Sequence, residues 1–228
     1  MSRLTENIYN FFIVKRSAII FVFKMIYFLL IIFVISAFLF SYFNNQYLLH
    51  LNNYGTFFGK SALLTFILTL LPGIGERLMI KNQLLSILKI YRRYIGILMY
   101  ILTLAHTALV KILFLTSLKD LLSNYTFEIM GSVASLILFF LFITSNNISL
   151  SRLRINWYRL HRLIYLAMFF IFLHVALQRL SIWTVLMGLV IILQIISFAI
   201  VYKRTNSFTG VFSNPIMSMK PSFKNQSD

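Results

Sequence analysis

The sequence contains no cysteine. That excludes structural disulfides, thiolate-held iron–sulfur clusters and covalently attached c-type haem, so any redox group must be held by other side chains. Acidic residues are nearly as scarce: Glu6, Glu76, Asp120, Glu128 and Asp228 are the only five. All fall in loops or near ends of the apolar runs. This disfavours a proton or metal-ion path through a membrane, which would normally recruit embedded carboxylates. Long polar stretches are also missing. No loop or terminus is long enough to form a flavin or nicotinamide domain. The G-x-G of Gly73 and Gly75 has Leu78 where a dinucleotide fingerprint needs a third glycine, and no strand precedes it. It reads as a turn.

Apolar residues are what the chain has in excess. They make up 60% of it, with a mean hydropathy of +0.86, far outside the soluble range. A membrane-spanning helix needs about 20 mostly apolar residues, because the hydrocarbon layer is about 30 Å thick. Backbone groups in lipid must be satisfied within the segment, which selects helices over open strands. Six segments qualify, near residues 17–43, 59–71, 94–115, 131–143, 161–177 and 180–202. The expected fold is therefore an all-α integral membrane protein, a six-transmembrane-helix bundle spanning a cell (inner) membrane several times. Residues 1–16 form its N-terminal segment, 17–204 the membrane domain and 205–228 a Ser/Asn/Lys-rich disordered tail. The first run has Lys15 and Arg16 at its flank and no small-residue cleavage site, as expected of an uncleaved anchor. Residues 44–58 read as an Asn/Tyr-rich loop. Residues 71–93 read as a basic loop with a short helix in the interface.

The net charge is +16, but its distribution points away from nucleic acid. With the N-terminus inside, all of the 21 Lys and Arg except Lys60, Lys111, Lys119 and Arg179 fall on inner segments. That asymmetry sets an N-in, C-in orientation. Contact with anionic lipid or an acidic partner is secondary.

Only four histidines occur. His106 lies thirteen residues beyond Arg93, and His174 twelve beyond Arg162. At about 1.5 Å per residue both sit roughly 20 Å from the inner boundary, on parallel helices. Ionisable side chains at that depth are costly and usually functional. Two imidazoles at one height can hold a flat, apolar haem b from opposite faces without cysteine. Two separately satisfied histidines, or a metal or proton path, are the alternatives. His161 stands at the inner interface, at a depth that suits a second haem or an ordinary interfacial residue. Thirteen residues at about 100° leave it roughly 140° from His174 on a straight helix, so two haems on one face need a distorted or late-starting helix. His50 reads as a loop residue. Arg92 and Arg93 suit haem propionates, an anionic flavin (FMN) or a quinone, or serve as interfacial anchors. Gly96, Ala105, Gly131, Ala134 and Ser135 are small enough for close approach of a helix or a macrocycle.

"RRYIGILMYILTLAH", then a short helix, then "NWYRLHRLIYLAMFFIFLH", together resemble the ferric reductase-like transmembrane domain family. Within it they resemble most closely the MsrQ (YedZ) haem-binding membrane subunits. The resemblance runs from about 59 to 179. It implies a b-type cytochrome that carries electrons from a cytoplasmic flavoprotein or quinol to an outer acceptor, protein or metal, as the electron-transfer subunit of an oxidoreductase. It implies His106 and His174 as haem ligands, with His161 a ligand or haem-site residue. Arg92 stands where some relatives carry a further histidine, which leaves the count at one haem or two. The remaining function class is a transporter or channel subunit that moves protons or metal through the same histidines.

Overall fold

The computed structural model describes residues 3–43, 48–111 and 125–206. Over them the chain is helical, without strands: α1 (Arg3–Val14), α2 (Arg16–Phe43), α3 (Leu48–Arg77), α4 (Gln83–Lys111), α5 (Thr126–Ile143), α6 (Asn147–Leu153), α7 (Ile155–His161), α8 (Leu163–Gln178) and α9 (Ile182–Thr205). Among the described residues six helical spans are long and apolar enough to cross a membrane, with α7 and α8 together forming the fifth. The protein is a multi-pass membrane protein.

Two expectations are corrected here. The 44–58 loop is largely helix, because α3 starts at Leu48 and places His50 in its first turn. Leu51, Gly55 and Phe58 recur on one buried face, and Leu51 and Phe58 pack with Ala37, Leu102 and Leu109. That burial outweighs the polar composition of the segment. The 71–93 loop shrinks to 78–82. The helix α3 runs through Pro72 and Gly73 to Arg77, so the supposed turn at Gly73 and Gly75 is helical. A Cβ on Gly75 would fall against the Leu85 side chain of α4, which would have to turn aside. The turn comes later. Met79 adopts φ 57°, and the Ile80 amide donates to the Gly75 carbonyl at 2.9 Å, the closure of a Schellman-type helix end. The Asn82 side chain then accepts from the Leu84 amide and starts α4. Of the expected tail (205–228), Thr205 ends α9 and Asn206 caps it; residues 207–228, with Lys220 and Lys224, and the segment carrying Lys119 and Asp120 lie outside the described residues.

The closest helix pairings are α3 with α4 and α5 with α8; α9 packs on α3 and α8, while α1 and α2 pack on α4. The main core joins α3, α4, α5, α8 and α9 around Phe66, Leu70, Tyr100, Leu138, Ala167 and Met187. Arginines and lysines gather at the end of the bundle where α3 finishes and α4 begins, called here the basic end. There Arg77 donates to Ser197 Oγ at 2.9 Å and to Tyr165 Oη at 3.4 Å, and its guanidinium lies over Phe198. One side chain thus ties α3, α8 and α9 together. At the opposite end Lys111 of α4 donates to Glu128 of α5 at 2.8 Å, with the Glu128 side chain only 13% exposed. Removing one member of such a pair strands the other. Lys111→Met is expected to cost about 2–3 kcal/mol of stability, with Glu128→Gln in that background restoring part of it, as measured by thermal melting in detergent.

The fifth span is interrupted. It breaks at Arg162, whose amide bonds back to Arg159 and whose carbonyl accepts from Tyr165, both with a three-residue spacing. The break lies one residue after His161, within the interval where a straight helix would turn His161 and His174 to different sides.

Candidate functional site

Two histidines meet in the half of the bundle away from the basic end. His106 on α4 and His174 on α8 have ring centres 6.3 Å apart and ring planes at 72°. Equal depth was legible in the sequence; the structure adds that the two rings face one another. Each ring is fixed by a backbone carbonyl of the neighbouring helix. His106 Nδ1 lies 2.8 Å from the Gly55 carbonyl of α3, and His174 Nδ1 lies 2.7 Å from the Phe127 carbonyl of α5. A carbonyl can only accept, so both Nδ1 atoms carry the proton. In a neutral ring held this way Nε2 keeps the lone pair, the arrangement of a metal-binding imidazole.

The approach of these rings depends on glycine. A Cβ on Gly59 would sit 2.7 Å from His106 Nδ1, and one on Gly131 would sit 2.7 Å from His174 Nδ1. Gly55 adds a second constraint, since its Cβ would press on Val110 at 2.9 Å. Gly55 and Gly59 form a G-x-x-x-G that brings α4 close enough for the bond. The spacing of the rings suits one shared ion. A metal–imidazole bond is about 2 Å and the ring centre lies about 1 Å behind the donor atom, so two ligands of one ion stand about 6 Å apart. Among the described residues no group of three or more His, Cys, Asp or Glu could hold a metal. The donor set is thus two neutral imidazoles, which fits haem iron, whose other four ligands come from the macrocycle, and suits bare ions poorly.

The other predicted residues lie at the basic end, around a cavity of about 670 Å³. That volume is in the usual range for cofactor-sized ligands, about 300–1,000 Å³. His161, Arg92, Arg93 and Gly96 line it, with Arg77 and Arg204 also on the wall. His161 stacks on Trp157 at 3.8 Å between ring centres, and its Nε2 lies 3.2 Å from Thr144 Oγ1. Trp157 donates to the Thr144 carbonyl at 2.8 Å, so it is a structural part of the cavity wall, beyond the interfacial-belt role its position suggests. Arg93 is engaged elsewhere, donating to the Ser145 carbonyl at 2.7 Å and to Asn147 Oδ1 at 2.8 Å. Arg92 makes no recorded hydrogen bond or ion pair among the described residues, and it faces the cavity. Beside it, Gly96 has open space where a Cβ would point. Among the described residues the wall carries one carboxylate, Glu76, which is paired with Lys89. The cavity therefore favours an anionic ligand.

Sequence reasoning missed Gly55, Gly59 and the two carbonyls. Their only trace is a glycine four residues after each accepting carbonyl, in "GTFFG" and "FEIMG". That pattern acquires meaning only when the partner helix is known.

A helical membrane bundle with two facing, carbonyl-oriented imidazoles and a cationic cavity toward one end defines a class of membrane electron-transfer components. The family described as ferric reductase like transmembrane component matches residues 58–173, just over half of the chain, which takes in Gly59, His106, Phe127 and Gly131 and stops short of Gly55 and His174. The chain belongs to that family. No curated protein and no solved structure matches it.

Proposed function

We propose that this protein is a b-type cytochrome subunit. It would hold haem b between His106 and His174, and carry electrons from a donor at the basic, cytoplasmic end to an acceptor on the other side. The observation that supports this best is the facing pair of neutral imidazoles, 6.3 Å apart, each with its proton committed to a carbonyl. Bound there, haem b supplies a one-electron iron couple within the hydrocarbon layer. The chain's own contribution is orientation and exclusion of water. Gly55 and Phe127 hold the rings, and Ala105, Leu109 and Ala134 are buried on the helices that carry or orient them. In the MsrQ-like version of this reading, a separate cytoplasmic flavoprotein or quinol is the donor and a periplasmic protein the acceptor.

The cavity at the basic end is where electrons are received. We assign it a second, more weakly held haem b with His161 as its one imidazole and Arg92 beside its acidic groups. A flavin or quinone is the competing occupant. Ligation by His161 requires its Nε2 to leave Thr144. The test is spectroscopy of protein purified from haem-replete cells. A Soret band with sharp bands on dithionite reduction supports the cytochrome, and a colourless protein rejects it in favour of a proton or metal pathway. Haem-to-protein stoichiometry is expected between one and two, falling on washing, with His161→Ala bringing it to one. A firm value of one that His161→Ala does not change makes His161 an interfacial residue and rejects the second haem.

A further inference from the structure

The surroundings of His106 and His174 repeat one another atom by atom. On α3 the carbonyl of Gly55 accepts from His106 Nδ1, and the residue four positions on is Gly59. On α5 the carbonyl of Phe127 accepts from His174 Nδ1, and the residue four positions on is Gly131. A Cβ on Gly59 would lie 2.7 Å from Nδ1, 3.0 Å from Cε1 and 3.1 Å from Cγ of His106; on Gly131 the corresponding values for His174 are 2.7, 3.0 and 3.2 Å. The physical reason is the geometry of a helix. The carbonyl of residue i points at the amide of residue i+4, and the side chain of that residue stands beside it. Glycine at i+4 removes the obstacle, and the carbonyl's second lone pair becomes open to a donor from the next helix. The open spot is the size of an imidazole edge, and an imidazole fills it in both cases.

Resting on the haem reading above, we propose that Gly55–Gly59 and Phe127–Gly131 are two copies of one seat, and that the pair of seats fixes the planes of the axial ligands crosswise. Each seat sets one ring by two constraints. The carbonyl fixes where Nδ1 points, and the glycine fixes how near the ring lies to the neighbouring helix. Together they hold the planes 72° apart. Crossed imidazole planes leave the two iron orbitals that point between the rings nearly degenerate, whereas parallel planes split them. The seats are therefore positioning elements for the electronic state of the haem as well as for its retention, acting through hydrogen bonds behind the ligands. Gly59 and Gly131 are positioning residues, and neither touches the iron.

The test is electron paramagnetic resonance of the oxidised full-length protein in detergent. The wild type is expected to show one broad, low-field, highly anisotropic low-spin feature. Gly59→Ala and Gly131→Ala are each expected to lose it, giving a three-line rhombic or a high-spin signal. Gly188→Ala, where a Cβ meets only Phe172 Cε2 at an ordinary 3.7 Å, should keep it. A second measurement does not depend on the alanine variants folding. In His106→Gly, added imidazole can donate to the Gly55 carbonyl, whereas N-methylimidazole cannot. Imidazole should restore the low-spin spectrum at about tenfold lower concentration, the usual value of one such bond. A wild-type rhombic signal overturns the crossed-plane setting. An unchanged signal in both alanine variants, or equal potency of the two imidazoles, overturns the seats while leaving the cytochrome standing. A wild type without low-spin haem overturns the cytochrome itself.

Discussion

Replacing either His106 or His174 with alanine is expected to abolish the low-spin haem spectrum of the purified protein. Each change removes one of the two imidazoles that face each other at 6.3 Å. The described residues offer no cluster of other His, Cys, Asp or Glu side chains to take the lost place. The remaining ring can leave only a high-spin or empty site. Because both ligands act on one iron, the double variant should look no worse than either single one. His50→Ala is the control and should retain the full spectrum. Visible absorption and haem extraction decide the matter, and a full low-spin spectrum in either single variant would reject the pairing.

A reporter inserted after Thr205 is expected to be active only in the cytoplasm, and one inserted at Tyr125 only on the far side. The expectation follows from charge. Arg77 and Lys81 at the α3–α4 turn, Arg152, Arg154, Arg159 and Arg162 between α5 and α8, and Lys203 and Arg204 at the end of α9 all lie at the same end of the bundle. Short loops rich in Lys and Arg are retained on the cytoplasmic side. The effect is all-or-none. The opposite result would put the histidine pair in the half nearer the cytoplasm and exchange the positions of donor and acceptor.

Depth was the part of the site that the sequence could carry. Rise per residue is nearly constant in a helix, so counting from Arg93 and from Arg162 placed His106 and His174 at one height. That holds although α4 begins at Gln83, well before the assumed boundary, because the count depends on where the arginines sit rather than on where the helix starts. Helix ends were less legible. Polar composition suggested loops over 44–58 and 71–93, yet α3 extends into both, since Leu51, Phe58 and Ile74 find buried partners on other helices. Local composition cannot report that burial. The glycine seats were hidden for a related reason. Gly131 stood out as small, but its purpose depends on the rotation of α8 about its own axis, which no single-helix pattern encodes. The bend between His161 and His174 could be stated only as a requirement of two haems on one face. The helix is interrupted at Arg162, where the amides bond three residues back.

That interruption divides one membrane crossing into two levers. The upper lever, α8, carries His174 and is held by the Phe127 carbonyl and by the packing of Ala167 and Met168. The lower lever, α7, carries Trp157 and His161 as a stacked unit fastened to Thr144. The two pieces are anchored at opposite ends of α5, one to Phe127 at its start and the other to Thr144 at its C-terminal cap. α5 therefore positions both histidines of the fifth span, one from each of its ends.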